Sequence, residues 1–128
     1  MRARRWRAAG VLLLATACLA TCPPPAGAHA IVLESEPVRD AKLAEPPARL
    51  YLRFNSKIEK RLTQVSITAA DGRAVPLPVS VDGSQGPDRI AIPLGHLRSG
   101  AYVVRYKVLA SDGHITEGAL RFSVLEAK

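Results

Sequence analysis

Short runs of alternating apolar and polar residues constrain this chain more than any other feature. From Leu50 to Phe54, every second side chain is apolar, which leaves Tyr51 and Arg53 on the opposite face. Gly, Pro, Asp and Ser separate such runs at intervals of roughly ten residues. The pattern predicts an all-β fold, an antiparallel β-sandwich, and no stretch has the period of a long amphipathic helix.

Seven runs are candidate strands. They are Ala30–Glu34, Arg49–Phe54, Thr63–Ala69, Ala74–Val81, Arg89–Leu94, Gly100–Leu109 and Glu117–Leu125. Asp71-Gly72 and Asp82-Gly83 fall between candidates, where hairpin turns are expected. Three prolines predict that the segment from Glu36 to Ala48 is an extended loop outside regular pairing.

The first 28 residues have the organisation of a cleaved secretory signal peptide. Four arginines precede an apolar stretch from Val11 to Ala20, and Ala26-Gly27-Ala28 is a small-residue cleavage site. The apolar stretch is too short for a permanent bilayer span of roughly 20 residues, so no stable membrane insertion is expected. Cleavage would make His29 the first residue of an exported domain, 29–128, long enough for one core.

The part of the chain after residue 28 has a modest charge and no sulfur ligand. Four of the 18 basic residues and none of the 11 acidic ones lie in the signal, so the net charge falls from +7 to +3. A nucleic-acid partner, which favours clustered basic residues, is therefore not expected. Cys18, Cys22 and Met1 all lie in the signal, which excludes disulfides and sulfur-based metal ligands from the domain.

Lipidation of Cys22 is an alternative to cleavage before His29. Leu19-Ala20-Thr21-Cys22 is loosely like a lipoprotein signal, in which the acylated cysteine becomes the new N-terminus. Thr21 fits poorly before such a cysteine, and three prolines would follow it. In that case the His29 nitrogen would remain an amide.

An N-terminal histidine is a chelator, because its α-amine and imidazole can close a ring around a metal. Far down the chain, Asp112 and His114 stand two residues apart. In extended backbone this spacing puts both side chains on one side, and Gly113 lets the chain bend between them. Folding that brings the first strand beside the strand after His114 would create a metal site of three nitrogens and one oxygen.

This donor set favours Cu(II) in a tetragonal arrangement, because structural zinc sites usually use cysteine and Cu(I) prefers sulfur. Affinity should fall on acidification, since an α-amine with an ordinary pKa of about 8 and imidazoles near 6.5 must lose protons to bind.

A structural interpretation of each residue stands beside the metal site. Asp-Gly is a common turn dipeptide and occurs three times here, so Asp112-Gly113 could be only a hairpin turn. His114 could be a surface residue, and His29 could follow the signal by chance. The coincidence of the two favours the site. His96 has no partner pattern and is predicted to be an exposed loop residue.

Several short motifs of this chain resemble those of a known protein family. They are His29-Ala30, Ser35-Glu36-Pro37, Leu50-Tyr51-Leu52-Arg53-Phe54, Gly100-Ala101-Tyr102, Ser111-Asp112-Gly113-His114 and Gly118-Ala119-Leu120-Arg121-Phe122-Ser123-Val124. Together they resemble the CopC-like copper resistance proteins of bacteria, over nearly the whole of 29–128. The N-terminal histidine combined with the later Asp-x-His is the most specific part.

The resemblance implies an immunoglobulin-like antiparallel β-sandwich with Greek-key topology, located in the periplasm. It implies a Cu(II) site of His29, Asp112 and His114, and a role in copper resistance, homeostasis or delivery to an inner-membrane partner of the CopD type. A methionine-rich Cu(I) site, present in some members, is not expected here. Members often carry an acidic residue at the place of Ser56, so a carboxylate is missing at that position of this chain, and Glu59 lies three residues further on.

Three function classes follow. The first is a non-catalytic Cu(II)-binding protein with no catalytic residues. The second is a mono-copper oxygenase, because an N-terminal histidine brace also resembles the site of lytic polysaccharide monooxygenases; the Asp112 carboxylate would occupy a position that such chemistry needs open. The third is an immunoglobulin-like accessory module that binds no metal.

Overall fold

The alternating runs fold into two facing β-sheets. The computed structural model describes residues 30–78 and 85–128. Seven strands and one short 3-10 turn, Lys60–Leu62, form within these ranges. The strands are β1 Val32–Glu36, β2 Ala41–Leu43, β3 Arg49–Phe54, β4 Gln64–Ala69, β5 Arg89–Pro93, β6 Gly100–Leu109 and β7 Ile115–Val124. The predicted all-β class is confirmed.

From β1 to β6, successive strands alternate between the two sheets. One sheet has the order β1-β3-β5 and the other the order β2-β7-β6-β4. β6 and β7 instead form a hairpin of two ten-residue strands, in which Gly100 faces Val124 at one end and Leu109 faces Ile115 at the other. The tip of this hairpin lies at the end of the sandwich where β3 ends and β1 begins, because Val32 pairs with Phe54 and Ile58, four residues after Phe54, forms a bridge with Ala110.

The core lies between the inner faces of the sheets. Leu50, Leu52 and Phe54 of β3 are at most 1% exposed, and burial of each such side chain contributes roughly 1.5–3 kcal/mol. The ring of Phe54 meets that of Tyr106 edge-on, with centroids 5.9 Å apart. Tyr106 in turn covers Gly118, where an added Cβ would collide with the tyrosine ring. These contacts hold the end of β3 against β6 and β7.

The segment Glu36–Ala48 was predicted to lie outside regular pairing, and this is wrong for β2. Residues Ala41–Leu43 pair in parallel with Phe122–Val124 of β7, and Asp40 N–H donates to Arg121 O at 2.7 Å. The prolines of the segment flank β2 instead of interrupting it, so its backbone donors remain available. The sandwich is therefore antiparallel except at this one pair among the described strands.

The candidate strand Ala74–Val81 forms no strand in its described part. Ala74 makes only an isolated bridge to β4, and Pro76 and Pro78 have no N–H to continue a ladder. Residues 79–84, which include the expected Asp82-Gly83 turn, lie outside the described residues.

None of the described residues belongs to a helix of the length and apolar character that crossing a bilayer requires.

Candidate metal centre

The loop between β6 and β7 is a closed turn held by its own backbone. Ala110 N–H donates to His114 O at 2.8 Å, and Gly113 N–H donates to Ala110 O at 2.9 Å. Gly113 has a φ of 90°, a left-handed conformation that favours glycine. β7 begins at Ile115, two residues earlier than predicted, so His114 directly precedes the strand. The interpretation of Asp112-Gly113 as a turn is therefore confirmed. This turn brings the side chains of Asp112 and His114 together.

The Asp112 carboxylate and the His114 imidazole are in direct contact. Asp112 Oδ1 accepts a hydrogen bond from His114 N–H at 3.0 Å, and Oδ2 lies 3.1 Å from His114 Nδ1. The backbone N–H of His114, and then its ring, hold the pKa of the Asp112 carboxyl below its ordinary value of 3.8. Both side chains are accessible, at 31% exposed for Asp112 and 62% for His114. The carboxylate is therefore ionised at neutral pH and open to an ion from solution.

This contact suits metal binding in two respects. Two ligand atoms at about 2.0–2.2 Å from an ion and at right angles to each other stand about 3 Å apart. The 3.1 Å between Asp112 Oδ2 and His114 Nδ1 is close to that spacing. A carboxylate on one ring nitrogen also fixes the orientation of a histidine whose other nitrogen binds metal. Either arrangement uses the same pair of side chains.

The start of the described chain is anchored at the same end of the sandwich. Ala30 is fully buried in the core. Ile31 N–H donates to Asn55 Oδ1 at 2.8 Å, and Asn55 N–H donates to Ile31 O at 2.9 Å. Two residues beyond Asn55, Lys57 O accepts a hydrogen bond from Ser111 N–H at 3.0 Å. One short segment thus contacts both residue 31 and the loop that carries Asp112.

Of the three ligands predicted from the sequence, the structure brings Asp112 and His114 together. His29 lies outside the described residues. Within the described ranges, no group of three or more His, Cys, Asp or Glu side chains could hold a metal ion. His96 is an exposed loop residue, as predicted, and it lies between β5 and β6 at the other end of the sandwich.

Sequence reasoning missed the segment that follows β3. Asn55, the only asparagine of the chain, is the residue that ties Ile31 in place, and its position directly after an alternating run was the available signal. The hydroxyl of Ser56 is buried and has no hydrogen-bond partner among the described residues. Glu59 contacts the hairpin through its backbone, since its N–H donates to Leu109 O at 2.8 Å.

Comparison with known proteins identifies the family. The model of the CopC domain matches residues 32–125. The chain belongs to the CopC domain family. The predicted resemblance to CopC-like proteins, drawn from the residues alone, is confirmed by this match.

Two curated relatives differ in how much of their own length matches. Protein YobA of Escherichia coli K12 is 28% identical over 114 residues, covering 88% of this chain and 90% of YobA. Copper transport protein CutJ of Bacillus subtilis is 24% identical over 128 residues, covering 99% of this chain but 23% of CutJ. The whole of this CopC domain therefore corresponds to a fraction of the larger protein.

Solved structures share the fold. CopC from Methylosinus trichosporium OB3b is 31% identical, with a TM-score of 0.70 over 76% of this chain and 94% of its own. PcoC from Escherichia coli, described as a methionine-rich copper resistance protein, is 23% identical, with a TM-score of 0.67 over 76% and 99% of the two chains. The second likeness concerns the fold alone, and the only methionine of this chain is Met1.

Proposed function

We propose that this CopC domain binds Cu(II) through His29, Asp112 and His114 and acts in copper resistance, homeostasis or delivery. The observation that carries the proposal is the paired carboxylate and imidazole, 3.1 Å apart on an accessible loop. The similarity to copper transport protein CutJ and to the copper resistance protein PcoC supports the choice of ion.

The backbone contacts of residues 30 and 31 support His29 as the third ligand. His29 is one peptide bond from Ala30, whose methyl group is buried in the core. Ile31 is hydrogen-bonded to Asn55, and the same segment reaches Ser111 through Lys57. After cleavage between Ala28 and His29, the amine and the ring would start from an anchored position near the hairpin.

The chemistry of the donors favours the oxidised ion. Two nitrogens from His29, one from His114 and an oxygen from Asp112 suit tetragonal Cu(II). No cysteine or methionine follows residue 28, so a site for Cu(I) would lack the sulfur that this ion prefers.

The predicted signal and the similarity to CutJ support a location and a partner for this domain. An exported domain of residues 29–128 would work in the periplasm, with copper as its cargo. The alignment of this chain with 23% of a copper transport protein supports an inner-membrane transporter of the CopD type as its partner. We propose no enzymatic role. The contact of Asp112 with His114 puts a carboxylate beside the imidazole, where an oxygenase would need an open position.

A Cu(II) titration tests the site. The protein that begins at His29 is compared with one that carries a single extra leading glycine, which converts the amine of His29 into an amide. We expect the native form to bind one Cu(II) ion and the extended form to bind at least about tenfold more weakly, because an amine ligand is lost. Equal affinity would exclude the amine as a ligand.

Two further measurements separate the other candidates. Intact mass of the secreted protein decides between a chain that begins at His29 and one acylated at Cys22. Turnover of reductant and peroxide by the copper-loaded protein would favour the oxygenase, and the proposal expects none above free copper.

A further inference from the structure

Asn55 makes an unusual pair of hydrogen bonds with Ile31. β1 and β3 are antiparallel, and Val32 faces Phe54, so Ile31 and Asn55 are the next positions of the ladder. The backbone N–H of Asn55 donates to Ile31 O in the ordinary way, at 2.9 Å. The N–H of Ile31, however, donates to the side-chain Oδ1 of Asn55 at 2.8 Å. The carboxamide thus takes the place that a backbone carbonyl occupies in a regular antiparallel ladder.

This substitution allows the chain to turn while the ladder is still complete. After Asn55 the backbone leaves β1 and crosses to the hairpin of the other sheet. Lys57 O accepts from Ser111 N–H at 3.0 Å, and Ile58 forms a bridge with Ala110. A backbone carbonyl could serve Ile31 only if the strand continued straight. The segment that begins at Asn55 therefore contacts both the arm, residues 30 and 31, and the loop that carries Asp112 and His114.

We infer that Asn55 is a positioning residue for the N-terminal metal ligand. This inference rests on the proposed function, since it concerns the site of His29, Asp112 and His114. Asn55 touches no metal ligand itself. It favours the state in which residues 30 and 31 are docked, and under the proposed function His29, the preceding residue, would bind the ion from that state. If Cu(II) binds only when the arm is docked, the apparent affinity falls by the same factor as the population of the docked state.

Asn55 can be changed without damage to the core. Its side chain is exposed, and the buried residues of β3 are its neighbours in sequence, Leu50, Leu52 and Phe54. Asn55→Leu has nearly the same shape but no acceptor for Ile31 N–H. Because Ala30 still anchors the arm, we expect a partial loss of Cu(II) affinity. A net hydrogen bond of ordinary strength corresponds to a factor of roughly 3 to 10.

A double-mutant cycle with Cu(II) as the probe tests the inference. Asn55→Leu is made in the protein that begins at His29 and in the form with one extra leading glycine. A positioning role predicts a 3- to 10-fold loss in the first background and a smaller loss in the second, where the amine no longer binds and only the ring of His29 can still gain from a docked arm. Asn55→Asp, which keeps an acceptor oxygen, should restore binding in the first. The Cu(II) electron paramagnetic resonance spectrum of Asn55→Leu should shift toward that of the extended form.

The controls identify each kind of failure. Asp71→Leu removes a comparable bond, from Arg73 N–H to Asp71 Oδ1 at 3.0 Å, in the turn after β4 at the other end of the sandwich, and should leave binding unchanged. Equal losses in both backgrounds, or no loss in the native one, would overturn the role of Asn55. Equal affinity of the native and extended proteins would instead defeat the proposed amine ligand. Asn55→Ala repeats the test if the leucine variant folds poorly.

Discussion

The two halves of the proposed copper site are built in different ways. Asp112 and His114 lie on one turn, and the contacts that orient them join residues no more than four positions apart. The arm at residues 30 and 31 is held by contacts with Asn55, 24 positions away, and by burial in the core. A local turn carries its ligands with it wherever it forms, whereas the arm is positioned only when the sandwich is assembled. The two halves should therefore respond differently to acid, to mutation and to partial unfolding.

Acidification should distinguish the amine of His29 from the carboxylate of Asp112 most strongly. The amine of His29 must lose a proton to bind. Because an amine has an ordinary pKa of about 8, this requirement lowers the Cu(II) affinity roughly 100-fold between pH 7 and pH 5. The pKa of Asp112 is lowered, so its carboxylate stays ionised over this interval. Its contribution disappears only as the pH falls through the lowered value, below 3.8. Titrations at several pH values measure this slope.

The variant Asp112→Asn tests whether the carboxylate contributes to this dependence of Cu(II) affinity on pH. It should bind Cu(II) more weakly, because a charged ligand is lost, yet show the same slope between pH 7 and pH 5. The form with a leading glycine should show a shallower slope. A slope that changed with Asp112→Asn and not with the added glycine would reverse the assignment of the halves.

Removal of His114 should disable the hairpin half alone. We expect His114→Ala to lower Cu(II) affinity on the order of 100-fold, since a metal ligand and its carboxylate partner are both affected. His96→Ala is the matched control, because His96 is also exposed but lies at the other end of the sandwich. Loss of affinity in the control, or none in His114→Ala, would contradict the site.

Enlargement of Ala30 should disturb the arm and spare the hairpin. Ala30 is fully buried, and extra methylenes in a packed site typically cost about 1–3 kcal/mol. If the cost falls on docking of the arm, Ala30→Leu should weaken Cu(II) binding by roughly 5- to 100-fold. Amide exchange at Gly113, which donates to Ala110, reports on the hairpin and should not change. Faster exchange there would show that the halves are coupled.

The smallest effect is expected at Ser56, between the two halves. Its hydroxyl is buried without a partner among the described residues, and an unsatisfied buried group is unfavourable. Ser56→Ala should therefore leave the free energy of unfolding unchanged or raise it by about 1 kcal/mol, with no change in Cu(II) affinity. Denaturant unfolding and a titration check this. Weaker binding would instead indicate that the hydroxyl supports the bound ion.

The alternation of apolar and polar residues predicted most strands of the sandwich, because it reflects which side chains are buried. Arg49–Phe54 and Gly100–Leu109 were predicted as strands with their observed bounds, since every second side chain in them faces the core. β2 was missed because it is only three residues long and lies between prolines. Its apolar residues, Ala41 and Leu43, pack on the core only because β7 offers a free edge at that place.

The candidate site shows the same division. The spacing of Asp112 and His114, with a glycine between them, was enough to predict that their side chains meet, because the turn needs no other part of the chain. The position of Asn55 directly after an alternating run marked it, but that local signal did not show that its side chain would complete the ladder at Ile31. That contact depends on where β3 ends relative to β1, and so on the register of two strands.

By itself, the sequence determined the strand pattern, the resemblance to CopC proteins, the absence of sulfur ligands after residue 28 and the local pairing of a carboxylate with an imidazole. These are properties of neighbouring residues. Only the tertiary structure decided that residues 30 and 31 lie at the same end of the sandwich as that pair, and that the segment from Asn55 to Lys57 joins them. The physical reason is that such contacts link distant residues, and packing of the two sheets selects them over the alternatives that a local pattern allows.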